Sequence, residues 1–308
     1  MAATPSSIAR AQRPNRGRWI WRREWIDGWL FFSPWLLGFL VFTLIPMGYS
    51  IYLIFLNWDL ITPPTWAGWG NITALFHDPL LPVSLYATAF YTLLGVPLQL
   101  IVALLLALVL NLSLRGTRFF RTIFYIPSIV PAVAMAVVWI EVLNPTYGLL
   151  NTVLDWLHVP GQSWLLFPTS ARFAFVFISL WTVGGQMVIF LAGLQGVPES
   201  LLEAAAMDGA NKLRKFWHIT LPMLSPTLFF NLVIGLIASF QVFTQAYVMT
   251  GGGPENATQF LVLYIYATGF QSFQMGYAAT LAWLLFCIIG LFTVVQFKLA
   301  GRWVFYEV

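Results

Sequence analysis

Six stretches of the chain are apolar almost without interruption, at about residues 29–56, 84–111, 120–143, 172–196, 222–247 and 276–299, and polar or Pro/Gly-rich sequence separates each from the next. A bilayer core about 30 Å thick needs about 20 mostly apolar residues in a helix. Each stretch meets that length, so the pattern predicts an all-α polytopic membrane protein with six transmembrane helices. Pro46, Pro97 and Pro131 fall inside these stretches and are compatible with helix, because neighbouring spans can satisfy the backbone groups that proline frees. Trp29 to Leu56 is much longer than the roughly 7–15 residues of a signal-peptide core, and reads as an uncleaved first span.

Charge sets the orientation. Lys and Arg are retained on the cytoplasmic side of a membrane. Arg10, Arg13, Arg16, Arg18, Arg22 and Arg23 precede the first stretch, and Arg115, Arg118 and Arg121 lie between the second and third or at the start of the third. Lys212, Arg214 and Lys215 lie between the fourth and fifth, and Lys298 and Arg302 at the end. With six spans all of these face one way and only Arg172 faces the other, which places both termini in the cytoplasm. The connections near 57–83, 144–171 and 248–275, which hold no Lys or Arg, then face outward. The net charge of +4 is thereby explained by topology and calls for no nucleic-acid partner.

Composition agrees. Of the 308 residues 59% are hydrophobic and 8% charged, against roughly a quarter charged in soluble domains, which excludes a water-soluble fold. Residues 18–29 mix Trp and Ile with Arg and Glu and read as a short interfacial helix, so that 1–28 is a basic tail with an interfacial helix and 29–308 the membrane domain. The only cysteine, Cys287, reads as inert packing.

The connection at 196–222 is more organised than a linker. Pro198 suits a first helical turn and Gly209 the position just past a helix end, which predicts a helix over about 198–208. Ala204, Ala205 and Ala206 keep it slim, and Glu203 and Asp208 make it acidic. A second helix should begin near Asn211, with Leu213, Phe216 and Trp217 on one face, and Pro222 should open the next span.

Glu203-Ala204-Ala205, three residues, Gly209, nine residues, then Ile219-Thr220-Leu221-Pro222 resembles the EAA motif of ABC importer permeases at its full spacing. The likeness extends through WDLITPPTWAGWGN at 58–71, LNPTYGLLN at 143–151, IFLAGLQGVPE at 189–199 and SFQVFTQAYVMTGGGP at 239–254, which look like the carbohydrate-uptake permeases. The resemblance implies a type I ABC importer permease fold in the inner membrane, with Glu203, Ala204, Ala205, Asp208, Gly209 and Ala210 in a coupling helix that docks on a separate ATPase dimer. It also implies a second, homologous permease subunit and an extracytoplasmic solute-binding protein. This chain has no phosphate-cradling G-x-x-x-x-G-K-[ST] motif, so ATP and Mg are expected on the partner, and no cofactor on this chain.

Small and polar groups inside spans four and five mark the expected solute path, since such groups are costly unless they face protein or water. By likeness to the maltose-type permease, the positions of Thr182, Gly185, Gly235, Ser239 and Val242 line it, and Gln186 and Gln241 join them as neutral amides suited to sugar hydroxyls. The same residues could equally be helix-packing contacts. Glu141 and Arg172 are expected as a structural or gating pair rather than as solute ligands. An ion-gradient-driven transporter or channel is the alternative, but Glu141 is the only acid inside the six stretches. A membrane enzyme would need a clustered nucleophile, base or metal set, and His77, His158 and His218 are scattered.

Overall fold

The computed structural model describes residues 17–112 and 115–305, and the chain divides into two units between Tyr52 and Leu53. The first is one continuous helical rod: α1 (Gly17–Phe39), a wider π turn at Leu40–Leu44, and α2 (Ile45–Leu53). Residues 18–29 are therefore the start of this rod rather than a separate helix; the basic tail before Gly17 lies outside the described residues. Trp29, Phe32, Trp35 and Phe39 recur at helical spacing, with neighbouring ring centroids 5.0–6.0 Å apart, and no side chain from Leu40 to Leu53 is buried.

The second unit begins with a small antiparallel hairpin, β1 (Leu56–Asn57) and β2 (Thr65–Trp66), with Leu56 opposite Trp66. Then follow α3 (Gly70–Leu75), α4 (Leu80–Leu110), α5 (Thr117–Ile129), α6 (Ala132–Val142), α7 (Leu149–Trp156), α8 (Pro168–Trp181) and α9 (Gly184–Gln195). The rest is α10 (Glu199–Met207), α11 (Lys212–Lys215), a π turn at Phe216–Thr220, α12 (Leu221–Met223), α13 (Ser225–Phe240), α14 (Thr244–Met249), α15 (Leu261–Tyr266) with its π turn Ala267–Gln271, and α16 (Met275–Trp303).

Among the described residues four helical stretches are long and apolar enough to cross a membrane, and the total reaches six when each of two bent pairs counts as one span. The third predicted span is one of the pairs: α5 and α6 meet at 101°. Pro131 has no amide to donate and disfavours helix in the residue before it, and Val130 is extended, with ψ 133°. The fourth is the other pair, with α8 and α9 bent by 46°. The connection at 248–275 holds α15, an apolar helix of Leu261–Gln271 that, at about 1.5 Å per residue, is too short to cross. Span five starts at Ser225, after a turn at Leu224, and not at Pro222.

The packed core centres on α4. Ala103 and Ala107 are fully buried and sit with Val96 and Leu100 against Met187, Phe190, Leu191 and Leu194 of α9; small residues let helices approach closely where no water drives them together. A second cluster joins Leu81 of α4, Leu236 and Phe240 of α13, Leu261 and Tyr264 of α15, and Leu281 and Leu285 of α16. Cys287 faces away from this core and is exposed.

Candidate functional site: helix breaks and a two-helix connection

Both spans expected to line the solute path are interrupted at the residues that made them candidates. α8 ends at Trp181, and Thr182 closes it by bonding the Ser179 carbonyl through both its amide (3.3 Å) and its hydroxyl (3.0 Å). α9 restarts at Gly184, where α5 crosses so closely that no side chain would fit against the backbone of Phe124 and Tyr125. α13 ends at Phe240, the chain from Gln241 to Phe243 is not helical, and α14 resumes at Thr244. Freed backbone groups at such depth are tolerated only where protein covers them or water reaches them.

The candidate path residues separate into two sets. Thr182 and Gln241 are exposed, and Gly185 and Val242 are half-buried, with open space where a Gly185 side chain would project. Gly235 and Ser239 are buried in helix contacts. The Ser239 hydroxyl donates to the Leu236 carbonyl and is hydrogen-bonded to the Thr92 hydroxyl of α4 at 3.0 Å, and a Cβ at Gly235 would meet the Gln186 amide nitrogen at 3.1 Å. The Gln186 Oε1 and the Asn231 Nδ2 are buried without a hydrogen-bond partner.

The inner wall comes from α4. Thr88 and Thr92 are buried, the Thr88 hydroxyl accepts from the Leu261 amide at 2.9 Å, and the Tyr91 side chain bonds Ser179 and Gln99. Reading 84–111 as a plain apolar span passed over this seam, although Thr88, Thr92, Gly95 and Gln99 recur at three- and four-residue spacing.

Glu141 and Arg172, expected as a pair, each take another partner. Arg172 donates from Nε to the Ala257 carbonyl at 3.1 Å and lies 4.8 Å over the Tyr86 ring. Glu141 meets the Tyr147 hydroxyl, and its hydrogen bond and charge hold that phenol above the ordinary tyrosine range.

The connection between spans four and five folds as two short helices. α10 ends at Met207, Gly209 is left-handed with φ +79°, the Gly209 amide donates to the Ala206 carbonyl (3.0 Å) and the Ala210 amide to the Ala205 carbonyl (2.9 Å). These two bonds are the Schellman arrangement that satisfies the last carbonyls of a helix. Asn211 then caps α11, its side-chain oxygen accepting from the Arg214 amide at 2.8 Å, and the helix continues through the π turn into α12. Glu203, Ala204, Asp208 and Gly209 are exposed, Ala205 and Ala210 half-buried. Met207, 88% exposed, stands at the end of α10, with Leu213 (65%) and Trp217 (56%) exposed on the second helix.

Residues 99–299 match the family described as binding-protein-dependent transport system inner membrane component. The chain is 43% identical over 269 residues to the probable ABC transporter permease protein YesP of Bacillus subtilis, covering 86% of this chain and 87% of that one. It is 37% identical to the sn-glycerol-3-phosphate transport system permease protein UgpA of Yersinia enterocolitica (78% and 82% covered). To the multiple sugar-binding transport system permease protein MsmF of Streptococcus mutans it is 32% identical (89% and 95%). Among solved structures, one chain of a bacterial alginate ABC transporter in complex with an alginate pentasaccharide-bound periplasmic protein superposes with TM-score 0.82 at 22% identity, covering 96% of this chain and all of that one. The interrupted spans, the α10–α12 connection and these likenesses together make the chain a member of the binding-protein-dependent transport system inner membrane component family, with the ABC importer permease fold.

Proposed function

We propose that the chain is one of two permease subunits in an ATP-driven importer for a sugar, oligosaccharide or sugar-like solute, with both termini in the cytoplasm. The observation that carries the coupling role is the exposed α10, closed by Gly209 and flanked by Met207, Leu213 and Trp217. A slim, acidic helix with its own C-cap suits docking in a cleft of a separate ATPase dimer that holds ATP and Mg. The solute path follows the two helix breaks, where Thr182, Gly185, Gln186, Gln241 and Val242 gather hydroxyl, amide and open space, with Gly235 and Ser239 behind them as the packing that fixes the breaks. Neutral groups, with Arg172 at the outward start of span four as the one Lys or Arg in spans four and five, suit polyol hydroxyls. The sugar assignment rests on the name of the relative MsmF, and the wider class of sugar-like solutes on that of UgpA, an sn-glycerol-3-phosphate permease.

The test is uptake of labelled sugars into proteoliposomes holding this chain with its neighbouring permease and ATPase, with the solute-binding protein supplied outside. Uptake that requires ATP and the binding protein is expected. Uptake driven by a proton or sodium gradient without ATP would refute the reading.

A further inference from the structure

The hairpin after the first span encloses a cavity of about 300 Å³ that the transport reading does not use. Its frame is fixed on three sides. Asn71 donates from Nδ2 to the carbonyls of Ile54 (2.8 Å) and Leu56 (2.9 Å). The Met275 amide donates to the Trp58 carbonyl at 3.0 Å. Gly276 packs so tightly on the hairpin that an added Cβ would overlap the Leu56 carbonyl and stand 2.8 Å from the Asn71 amide nitrogen. The cavity is thus preformed.

Its lining combines the aromatic residues Trp58, Phe273 and Tyr277 with the polar residues Asn57, Asp59 and Gln274. Asp59 receives the amides of Ile61 (3.0 Å) and Thr62 (2.7 Å) and the Thr62 hydroxyl (2.9 Å), all on Oδ1, which fixes the carboxylate in place. Asp59 is the one charged residue in the lining, which holds no Lys or Arg, so the cavity is acidic. Aromatic faces beside a carboxylate form a receptor for a cation: the ring faces attract an ammonium or guanidinium, and the carboxylate accepts its hydrogen bonds.

We infer that this cavity is a docking socket for one Lys or Arg side chain of the extracytoplasmic solute-binding protein. The inference rests on the proposed importer and on its orientation. A protein, not a free cation, is favoured as the source because the same hairpin and the adjoining α3 carry Ile61 (81% exposed), Trp66 (69%) and Trp69 (68%). Large exposed anchors around a satisfied polar pocket are the make-up of an interaction hot spot. The charge of the socket serves encounter more than tightness, because complementary rim charge acts mainly on association rate and salt dependence.

The test uses the assembled transporter in proteoliposomes, titrated with its binding protein while ATP hydrolysis is followed at low and at high salt. Asp59→Asn keeps the Oδ1 acceptor that holds the turn and removes only the charge. It should raise the half-saturating concentration of binding protein by about tenfold at low salt, flatten its salt dependence and leave the maximal rate unchanged. Trp58→Leu should raise half-saturation at both salt levels. A cysteine at Ile61 should label from outside in both variants, which reports the fold and sidedness independently. Unchanged half-saturation in both variants, with the wild type still stimulated by its binding protein, would overturn the socket while leaving the importer standing. A lowered maximal rate at unchanged half-saturation would overturn it equally. A wild type that ignores its binding protein would overturn the importer itself.

Discussion

Gly184, the first residue of α9, lies against the backbone of α5: a Cβ there would stand 2.8 Å from the Tyr125 Cα and closer still to the Phe124 carbonyl. The next residue, Gly185, has nothing within 4 Å of the equivalent point. Two adjacent glycines therefore do different work, one admitting a helix crossing and the other leaving room.

Substitution should separate them. Gly184→Val should destabilise the permease by about 1–3 kcal/mol or more, because the overlap is with backbone and cannot be relieved by a rotamer change. Gly185→Ala should stay within about 0.5 kcal/mol. Thermal denaturation in detergent checks both. Gly185→Trp should leave the complex assembled and abolish uptake; full uptake with that variant would place the solute path elsewhere.

At the end of α10, Gly209→Val forces a β-branched residue into left-handed backbone at about 1–2 kcal/mol. Ala205→Trp fills the slim face of the helix and Glu203→Lys reverses its charge. None of the three lies in a stretch long enough to cross the membrane, so membrane levels should be normal while the ATPase is lost on purification or no longer stimulated by solute. Retention of solute-stimulated hydrolysis in all three would remove the coupling role from this helix.

Asp78 should make the hairpin end of the structure sensitive to acid. Its carboxylate accepts from the Tyr264 hydroxyl (2.7 Å), the Tyr277 hydroxyl and the Leu80 amide (2.8 Å), joining the start of α4 to α15 and α16. Partial burial acts to raise its pKa, but the hydroxyls of Tyr277 and Tyr264 and the amides of Leu80 and Leu81 together hold it below the ordinary carboxylate range. A pKa depressed on folding contributes stability that is present above the unfolded value and is lost as pH falls through the folded one. Stability should thus be insensitive to this group down to about pH 4 and decline below it, and Asp78→Asn should flatten that decline. Hydrogen exchange of the α15 amides across this range is the measurement; an identical acid profile in the variant would show that the Asp78 contacts do not set it.

Sidedness can be read chemically. A cysteine at Thr65 or Asn256 should react with an impermeant reagent from outside, and one at Lys212 should not. External labelling at Lys212 would invert the topology.

What the sequence disclosed follows the range of the interactions concerned. The C-cap of α10 needs only Ala205, Ala206, Gly209 and Ala210, all within six positions, and it was legible as a helix stop with the correct glycine. The six apolar stretches were legible because hydropathy depends on no partner. The 101° turn between α5 and α6 was not: Pro131 read as compatible with a continuous helix, and the crossing of α5 on α9 at Gly184 lies 60 positions along the chain from Phe124. The burial of Ser239 was hidden likewise, since its partner Thr92 is 147 residues away. α15 was read as connection because its 11 residues fall short of a span, and only the packing of Leu261 and Tyr264 on α4 and α16 reveals it as core.

The bent pairs bear on biogenesis. With 13 and 11 residues in α5 and α6, and 14 and 12 in α8 and α9, no half reaches the length of about 20 that partitions alone into lipid. Each pair must leave the translocon as one hydrophobic segment. Its bend can open only once neighbouring helices cover the exposed amides and carbonyls. The fourth segment should therefore take its final course against α4, which precedes it in the chain, and the third only when α9 and α14, which follow it, are in place beside α5 and α6.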